Sequence, residues 1–183
     1  MLALPESSIG HAERFLGGLQ AADPVVGLNV GAGKVFANKA WTPSGYAGLA
    51  NAVRDRLGGT AVVLGGPEDR ERAEAVLELA ADAADGGLHE VLDFAAVVAK
   101  LDALVTGDTL AMHIAIALGV PTLVLFGPSA PQEIELFGAG RKIKSPLECA
   151  PCYRRTCEVS PSCMESIDVE TVFDALKETL EQA

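Results

Sequence analysis

The sequence predicts an α/β fold built on a doubly wound parallel sheet. Short apolar runs alternate with helical patterns five or six times along its 183 residues. Hydrophobic residues make up 49% of the chain and aromatic residues only 5%, so the apolar content is mostly Ala, Leu and Val. This alternation and this composition are typical of helices packed on a parallel sheet, and they disfavour a β-sandwich.

Residues 1–22 are predicted to form an initial helix or a linker between domains. Ser7 or Ser8 is expected to cap this helix, and Asp23-Pro24 ends it because proline interrupts a helical pattern. Residues 23–183 are then predicted to form one α/β domain, since the chain shows neither an internal repeat nor a low-complexity segment.

The remaining elements follow from apolar runs and from the residues that begin and end helices. Strands are predicted over residues 24–30, 60–64, 88–92, 103–106 and 121–126, with a weaker sixth strand over 141–144. Helices are predicted over residues 43–57, 67–83, 95–100, 108–119 and 169–180. Thr42 suits the N-cap of the first of these helices, Pro43 suits its first position, and Gly58-Gly59 ends it.

The charge balance argues against nucleic acid as a partner. The chain carries 25 acidic and 14 basic residues, a net charge of −11, whereas nucleic-acid-binding proteins are basic. No stretch reaches the ~18 uninterrupted apolar residues of a membrane span. The N-terminus lacks the basic, apolar and small-residue order of a signal peptide, so a cytoplasmic location is expected.

Glycines and polar residues gather directly after four of the predicted strands. They are Gly31, Gly33, Asn38, Lys39, Gly65, Gly66, Glu68, Gly107, Asp108, Thr109, Gly127, Pro128 and Ser129. Because parallel strands place their carboxyl ends at one edge, where open α/β sheets bind ligands, these residues are expected to share a crevice. The helix that begins at Asp108-Thr109 offers unpaired N–H groups there, which suit phosphate.

Simpler interpretations exist for each residue taken alone. Neither the P-loop motif nor the GxGxxG fingerprint is present. Lys39 could be a solvated lysine, Glu68 could complement a helix dipole, Asp108 could be only an N-cap, and His113 could be a buried, hydrogen-bonded histidine. Their convergence favours a nucleoside diphosphate, with lysine and backbone amides on the phosphates and an acid on the ribose hydroxyls.

Five stretches resemble the ADP-heptose:lipopolysaccharide heptosyltransferases, glycosyltransferase family 9. They are GLNVGAG (27–33), NKAW (38–41), LGGPED (64–69), VTGDTLAMHIAIALGVPTLVLFGPS (105–129) and the CAPCYRRTC…CM run (149–164). The resemblance implies the Rossmann-like C-terminal domain of a two-domain GT-B enzyme. That domain binds the nucleotide-sugar donor, and residues 23–183 would form it, with a Cys-rich loop over 149–163.

The resemblance also implies roles for particular residues. Lys39 would lie near the diphosphate and the sugar, and Glu68 would hold the ribose. Phe94 would lie against the adenine. The helix start at Asp108-Thr109 would take the diphosphate, and His113 would lie close to the donor. Leu110 stands where the family usually has glycine, so its side chain is expected to narrow the approach of the phosphate.

The implied reaction is inverting transfer of a heptose from ADP-heptose to a sugar hydroxyl of the lipid A-core acceptor. The resemblance places the catalytic base, an aspartate, and the acceptor site in an N-terminal half that this chain does not match. No catalytic residue is therefore expected here, and the chain alone should be inactive. The resemblance also implies that catalysis needs neither a metal nor a cofactor. Because the lipid A-core acceptor is a membrane lipid, a peripheral contact of the protein with the inner face of the inner membrane is possible.

Two other functions remain as alternatives to the heptosyltransferase. One is a GT-B domain for another nucleotide sugar, and the other is a stand-alone, non-catalytic nucleotide-binding module.

Four cysteines form a separate cluster: Cys149, Cys152, Cys157 and Cys163, spaced C-x2-C-x4-C-x5-C. In a cytoplasmic protein, clustered thiols favour metal ligation over disulfides, and four thiolates suit zinc or an iron–sulfur cluster. The spacing is not that of a standard zinc ribbon. The sequence leaves two interpretations of equal weight: a structural metal site, or cysteines present as free thiols or as two disulfides.

Overall fold

A computed structural model describes residues 3–33 and 35–182. In that part of the chain six strands form one parallel sheet, in the order β3-β2-β1-β4-β5-β6. The strands are β1 (Val25–Asn29), β2 (Thr60–Leu64), β3 (Ala84–Asp85), β4 (Ala103–Gly107), β5 (Thr122–Phe126) and β6 (Gly140–Lys144). The order reverses between β1 and β4, and the predicted doubly wound, Rossmann-like sheet is confirmed.

Helices cover both faces of this sheet. They are α1 (Glu6–Leu19), α2 (Pro43–Ala52), α3 (Arg70–Leu79), α4 (Val91–Val98), α5 (Leu110–Leu118) and α6 (Val169–Glu181). A π-helical turn over Val53–Leu57 extends α2, and short 3₁₀ turns occupy Ala37–Lys39, Pro67–Asp69 and Pro131–Glu133. Thr42 caps α2 as predicted, since its Oγ1 accepts a hydrogen bond of 2.9 Å from the Gly45 amide.

The core lies in two layers because successive strand side chains point to opposite faces. Val26 and Leu28 of β1 face the layer formed with α2, α3 and α6, whereas Leu104 of β4 faces the layer formed with α1, α4 and α5. Gly27 occurs where this second layer comes closest to β1: a Cβ atom there would lie 2.4 Å from the side chain of Leu101. A glycine in the strand therefore lets the helical layer pack tightly on the centre of the sheet.

Three sequence-based boundaries were wrong. The helix predicted over 67–83 begins as a 3₁₀ turn and ends at Leu79. The third strand is the two-residue β3 at Ala84–Asp85, and the predicted strand over 88–92 is instead the end of a loop and the first two residues of α4. Leu88, Val91 and Leu92 are each about half exposed, so this apolar run does not mark a buried strand. The predicted helix over 95–100 begins earlier, at Val91.

Helix α1 begins at Glu6 and lacks the predicted serine cap, because Pro5 occupies the N-cap position and no side chain caps it. It packs against α4, with Ala12 fully buried between them. The division of the chain near residue 22 remains a prediction. Within residues 3–33 and 35–182 there is no helix whose length and hydropathy would allow it to cross a membrane.

Candidate functional site

A cavity of about 400 Å³ lies at the carboxyl ends of β1, β2 and β4. Its walls come from five parts of the chain: the end of β1 and its loop, the turn after β2, the segment before α4, α4 itself and the start of α5. The lining residues are Asn29, Gly31, Ala32, Gly33, Gly65, Gly66, Pro67, Asp69, His89, Val91, Phe94, Thr109, Leu110 and Ala111. This is the edge of the sheet at which the sequence predicted the crevice.

Asn29, the last residue of β1, connects this strand to the start of α5. Its side-chain amide donates to Thr106 Oγ1 at 3.0 Å and to Thr109 Oγ1 at 3.3 Å. The Asn29 carbonyl accepts a hydrogen bond of 2.8 Å from the hydroxyl of Tyr46, which is fully buried. Burial raises the pKa of Tyr46 far above its ordinary value, so this phenol stays a neutral donor. The sheet and the helix start are thus fixed to each other.

The N-terminus of α5 has no side-chain cap. Thr109 occupies the N-cap position, but its hydroxyl bonds Asn29 and Thr106 instead of the first helical turn. Leu110 and Ala111 begin the helix and line the cavity. The N–H groups of this first turn are therefore open to an anion, which the positive end of the helix dipole favours.

Lys39 lies beside this helix start. Its Nζ is 2.7 Å from Asp108 Oδ2, and the two side chains are only 21% and 19% exposed. The interpretations of Lys39 as a solvated lysine and of Asp108 as an N-cap are therefore wrong. Gly107 allows this approach: a Cβ atom there would lie 2.8 Å from the Lys39 carbonyl oxygen. Lys39 Nζ also lies 5.0 Å from the centre of the Phe36 ring.

Asp69 was missed by the sequence analysis, which selected its neighbour Glu68. The Asp69 carboxylate accepts from the amide of Gly66 at 3.1 Å, from the amide of Ala32 at 3.4 Å and from Arg72 at 3.2 Å. Its side chain is 11% exposed. One carboxylate thereby fixes both glycine-bearing loops of the cavity. An acid three residues after Gly66, at the start of a helical turn, was the available signal.

Of the other predicted site residues, two line the cavity and two do not. Phe94 and Leu110 line the cavity, and Leu110 is 63% exposed; the narrowing of the phosphate approach by its side chain stays a prediction. Glu68 is exposed beside Pro67, which lines the cavity. His113 is exposed on α5 and lies outside the lining, so the interpretation as a buried histidine is wrong. His89, which the sequence analysis did not select, lines the cavity.

The structure does not assemble the predicted four-cysteine metal site. Cys149 and Cys157 are exposed, Cys152 is half-buried and Cys163 is buried, and all four are free thiols. A Cβ atom on Gly127 would lie 2.6 Å from Cys163 Sγ, so this thiol packs into the core while the others follow an irregular surface loop. In the described parts of the chain no three His, Cys, Asp or Glu side chains could together hold a metal ion.

The Cys-rich loop contacts the turn that carries Lys39. The side-chain amide of Asn38 donates to the Arg154 carbonyl at 2.8 Å, and the Arg155 guanidinium lies 5.5 Å from the centre of the Phe36 ring. The Arg154 side chain itself is 70% exposed. The loop therefore supports the turn from outside the cavity.

Sequence and structure comparisons relate this chain to known proteins. The model of glycosyltransferase family 9 (heptosyltransferase) matches residues 5–162. Lipopolysaccharide heptosyltransferase 1 of Pseudomonas aeruginosa is 32% identical over 131 residues, which are 71% of this chain and 37% of that protein. A glycosyl transferase family 9 structure from Veillonella parvula has a TM-score of 0.85 at 24% identity. E. coli ADP-heptose LPS heptosyltransferase II has a TM-score of 0.75 at 25% identity.

Both solved structures are matched over 100% of this chain and 54% of their own chains. The chain therefore spans about half the length of these structures and 37% of the curated relative. Because the family model extends over residues 5–162, the chain belongs to glycosyltransferase family 9, the heptosyltransferase family.

Proposed function

We propose that the chain is the donor-binding half of an inverting glycosyltransferase of lipopolysaccharide core biosynthesis, and that its cavity takes ADP-heptose. The observation that carries this proposal is the uncapped N-terminus of α5, which lines a cavity with an apolar opposite wall. Lys39 lies beside this helix start through its contact with Asp108, although neither residue belongs to the cavity lining. Family membership and the 32% identity to lipopolysaccharide heptosyltransferase 1 support the choice of a heptose donor.

The two ends of the cavity suit the two ends of a nucleoside diphosphate. Val91 and Phe94 offer apolar surface for a nucleobase, and the volume of about 400 Å³ lies within the range of small-molecule sites. Glycines line the section between this wall and α5, where the absence of side chains allows a ligand to approach the backbone closely. The base would lie against α4 and the diphosphate at the start of α5.

The phosphates would take Asp108's place as the partner of Lys39. Asp108 balances the lysine charge at 2.7 Å in the structure. A bound diphosphate offers stronger and more numerous acceptors, and it gains the open amides of α5 at the same time. When the sugar is transferred, the same groups stabilise the negative charge that develops on the departing ADP. Glu68 would accept from the ribose hydroxyls, and His113 would lie near the sugar.

The acceptor would bind elsewhere. The relatives are about twice as long as this chain, and we assign the lipid A-core acceptor and the aspartate base to the half that these residues do not match. On this proposal the chain binds the donor but transfers no sugar by itself. No metal or cofactor takes part in catalysis, and a contact with the inner face of the membrane would involve the acceptor.

Calorimetry with ADP, UDP and GDP tests the proposal directly. ADP should bind more tightly than the other two nucleotides; a preference for UDP or GDP would contradict the heptose donor, and no binding at all would contradict the nucleotide site. Replacing Lys39 by Met should weaken ADP binding about 10- to 100-fold, the value of one or two charge-assisted hydrogen bonds.

The single variant leaves Asp108 without its cation, near the phosphates. The double variant Lys39→Met/Asp108→Asn removes this repulsion and should still bind ADP at least about tenfold more weakly than the wild type. Lys177→Met is the matched control, since Lys177 lies on α6 and forms only an exposed contact of 3.8 Å with Glu181. Unchanged affinity in the double variant would contradict the phosphate role of Lys39.

A further inference from the structure

Two histidines join helix α1 to the wall of the cavity. His11 Nε2 lies 3.0 Å from His89 Nδ1, and the two rings meet edge to face with their centres 5.1 Å apart. His89 lines the cavity, whereas His11 belongs to α1 and lies outside it. Among the described residues, these rings form a hydrogen-bonded link between the initial helix and the candidate site.

The hydrogen-bond partners fix where the protons are. His89 Nε2 lies 2.7 Å from the carbonyl oxygen of Gly86, which can only accept, so this nitrogen carries a hydrogen. His89 Nδ1 is then the acceptor of a neutral ring, and His11 Nε2 must donate to it. Both nitrogens of His89 are therefore occupied, and the ring presents only carbon atoms to the cavity.

One extra proton fits this arrangement but two do not. A proton on His11 Nδ1 leaves the bond between the rings intact, and this atom lies 4.0 Å from Asp93 Oδ2. With that proton in place, a second one on His89 Nδ1 removes the acceptor for His11 Nε2 and places two N–H groups against each other. The ring of His89 would then have to turn or separate from α1.

We propose that His11 is a positioning residue for the nucleotide: it holds the His89 ring neutral, with its carbon edge completing the apolar wall formed by Val91 and Phe94. This inference rests on the proposed function, because it assigns the base of the donor to that wall. Nucleotide binding then requires that His89 carry no second proton, and ADP affinity decreases as the pH falls.

The groups that face His89 support a decrease in ADP affinity at low pH. From α1 come His11 and the ring of Phe15, whose centre lies 4.8 Å from that of His89; from α4 comes Asp93, and the preceding turn contributes the Gly86 carbonyl. Burial lowers the pKa of His89; the bond to Gly86 opposes this effect, the charge of His11 adds to it, and Asp93 opposes it. A lowered pKa favours the neutral ring at neutral pH, and that preference is lost on acidification.

The test compares the ADP dissociation constant at pH 5.5 with that at pH 8.0. Both values stay above the sequence pI of about 4.6, where solubility would fail. The ratio of the dissociation constant at pH 5.5 to that at pH 8.0 should be about threefold to tenfold larger for the wild type than for His89→Leu. This is the range expected for a histidine that must lose its proton before the ligand binds. ADP itself titrates in this range, but it does so equally for both proteins, so its contribution cancels in the comparison.

Variants at His11 separate positioning from bulk structure. His11→Leu removes the donor and should weaken ADP binding at pH 8.0 by about fivefold, the value of one hydrogen bond. The decrease in ADP affinity on acidification should also begin at a higher pH in this variant, because the charge of His11 no longer opposes protonation of His89. His11→Gln keeps an N–H donor and should recover most of the lost affinity. Lys100→Gln is the control, since it removes a different contact with α1, the 3.0 Å ion pair with Glu13.

Two results would overturn the inference while leaving the donor site intact. One is an equal pH ratio for the wild type and His89→Leu; the other is a His11→Leu profile that coincides with that of the Lys100→Gln control. Imidazole ¹⁵N spectra of the ligand-free protein give an independent readout: His89 should be the Nε2–H tautomer at pH 8.0, and the Nδ1–H tautomer would contradict the pair. Absence of any ADP binding would instead refute the proposed function.

Discussion

Replacing Asp69 by Ala should destabilise the protein and disorder the cavity at the same time. The side chain is 11% exposed and accepts three hydrogen bonds: from Gly66 N at 3.1 Å, from Ala32 N at 3.4 Å and from Arg72 Nη1 at 3.2 Å. Without the carboxylate the two backbone amides lose their acceptors. Arg72 keeps the Val30 carbonyl at 2.9 Å, so its loss is partial.

The magnitude follows from these three contacts. A partly buried donor left without a partner costs about 1–3 kcal/mol, and the long Ala32 contact counts least. We therefore expect a loss of about 3 kcal/mol in the free energy of unfolding, which for a chain of this size lowers Tm by roughly 6–12 °C. Asp69→Asn keeps one acceptor oxygen but loses the charge, and it should show about half of this effect.

Differential scanning calorimetry with an ADP titration is the assay, and Glu68→Ala is the matched control. Glu68 is exposed, so its truncation should change stability by less than about 0.5 kcal/mol while weakening ADP binding through the ribose. Asp69→Ala should lower both Tm and ADP affinity. A variant at Asp69 that melts within 2 °C of the wild type, a limit of about 1 kcal/mol, would refute the claim that this carboxylate holds the two loops.

Three further outcomes are expected. Tyr46→Phe should cost about 1–2 kcal/mol in urea unfolding, because the Asn29 carbonyl loses its donor; an unchanged midpoint would show that another donor replaces it. Gly107→Ala should weaken ADP binding by about tenfold or more, since its Cβ would displace the Lys39 carbonyl, and calorimetry of this variant checks it. In iodoacetamide labelling followed by peptide mass spectrometry, Cys163 should react last. Burial raises the pKa of this thiol, and neighbouring cysteines raise it further, so its lag should shrink as the pH rises. Equal labelling of all four cysteines would contradict its burial.

Much of the fold could be predicted because the central strands are short, mostly apolar runs with glycines near their ends. Strands β4 and β5 are buried at every position, and their limits were placed within one residue. The edge strand β3 has two residues, too few for any pattern to appear, and the exposed apolar run at the start of α4 took its place in the prediction.

The site was predictable where a residue's role follows from strand order, and unpredictable where it depends on pairing across the chain. Lys39 and Thr109 could be placed at one edge because both follow central strands. The contact between His11 and His89 spans 78 residues and joins helix α1 to the loop before α4, and no local pattern encodes it. The four cysteines misled for the same reason: their spacing is local, but the burial of Cys163 against Gly127 is not.

The reversal of strand order between β1 and β4 also determines when the cavity can form. Strand β4 pairs beside β1, although β2, β3 and the helices α2, α3 and α4 lie between them along the chain. During synthesis, once residues up to 100 have left the ribosome, the glycine loops are exposed but the helix that faces them is not. On the proposed function, a bound nucleotide therefore stabilises only a chain in which β4 already pairs with β1.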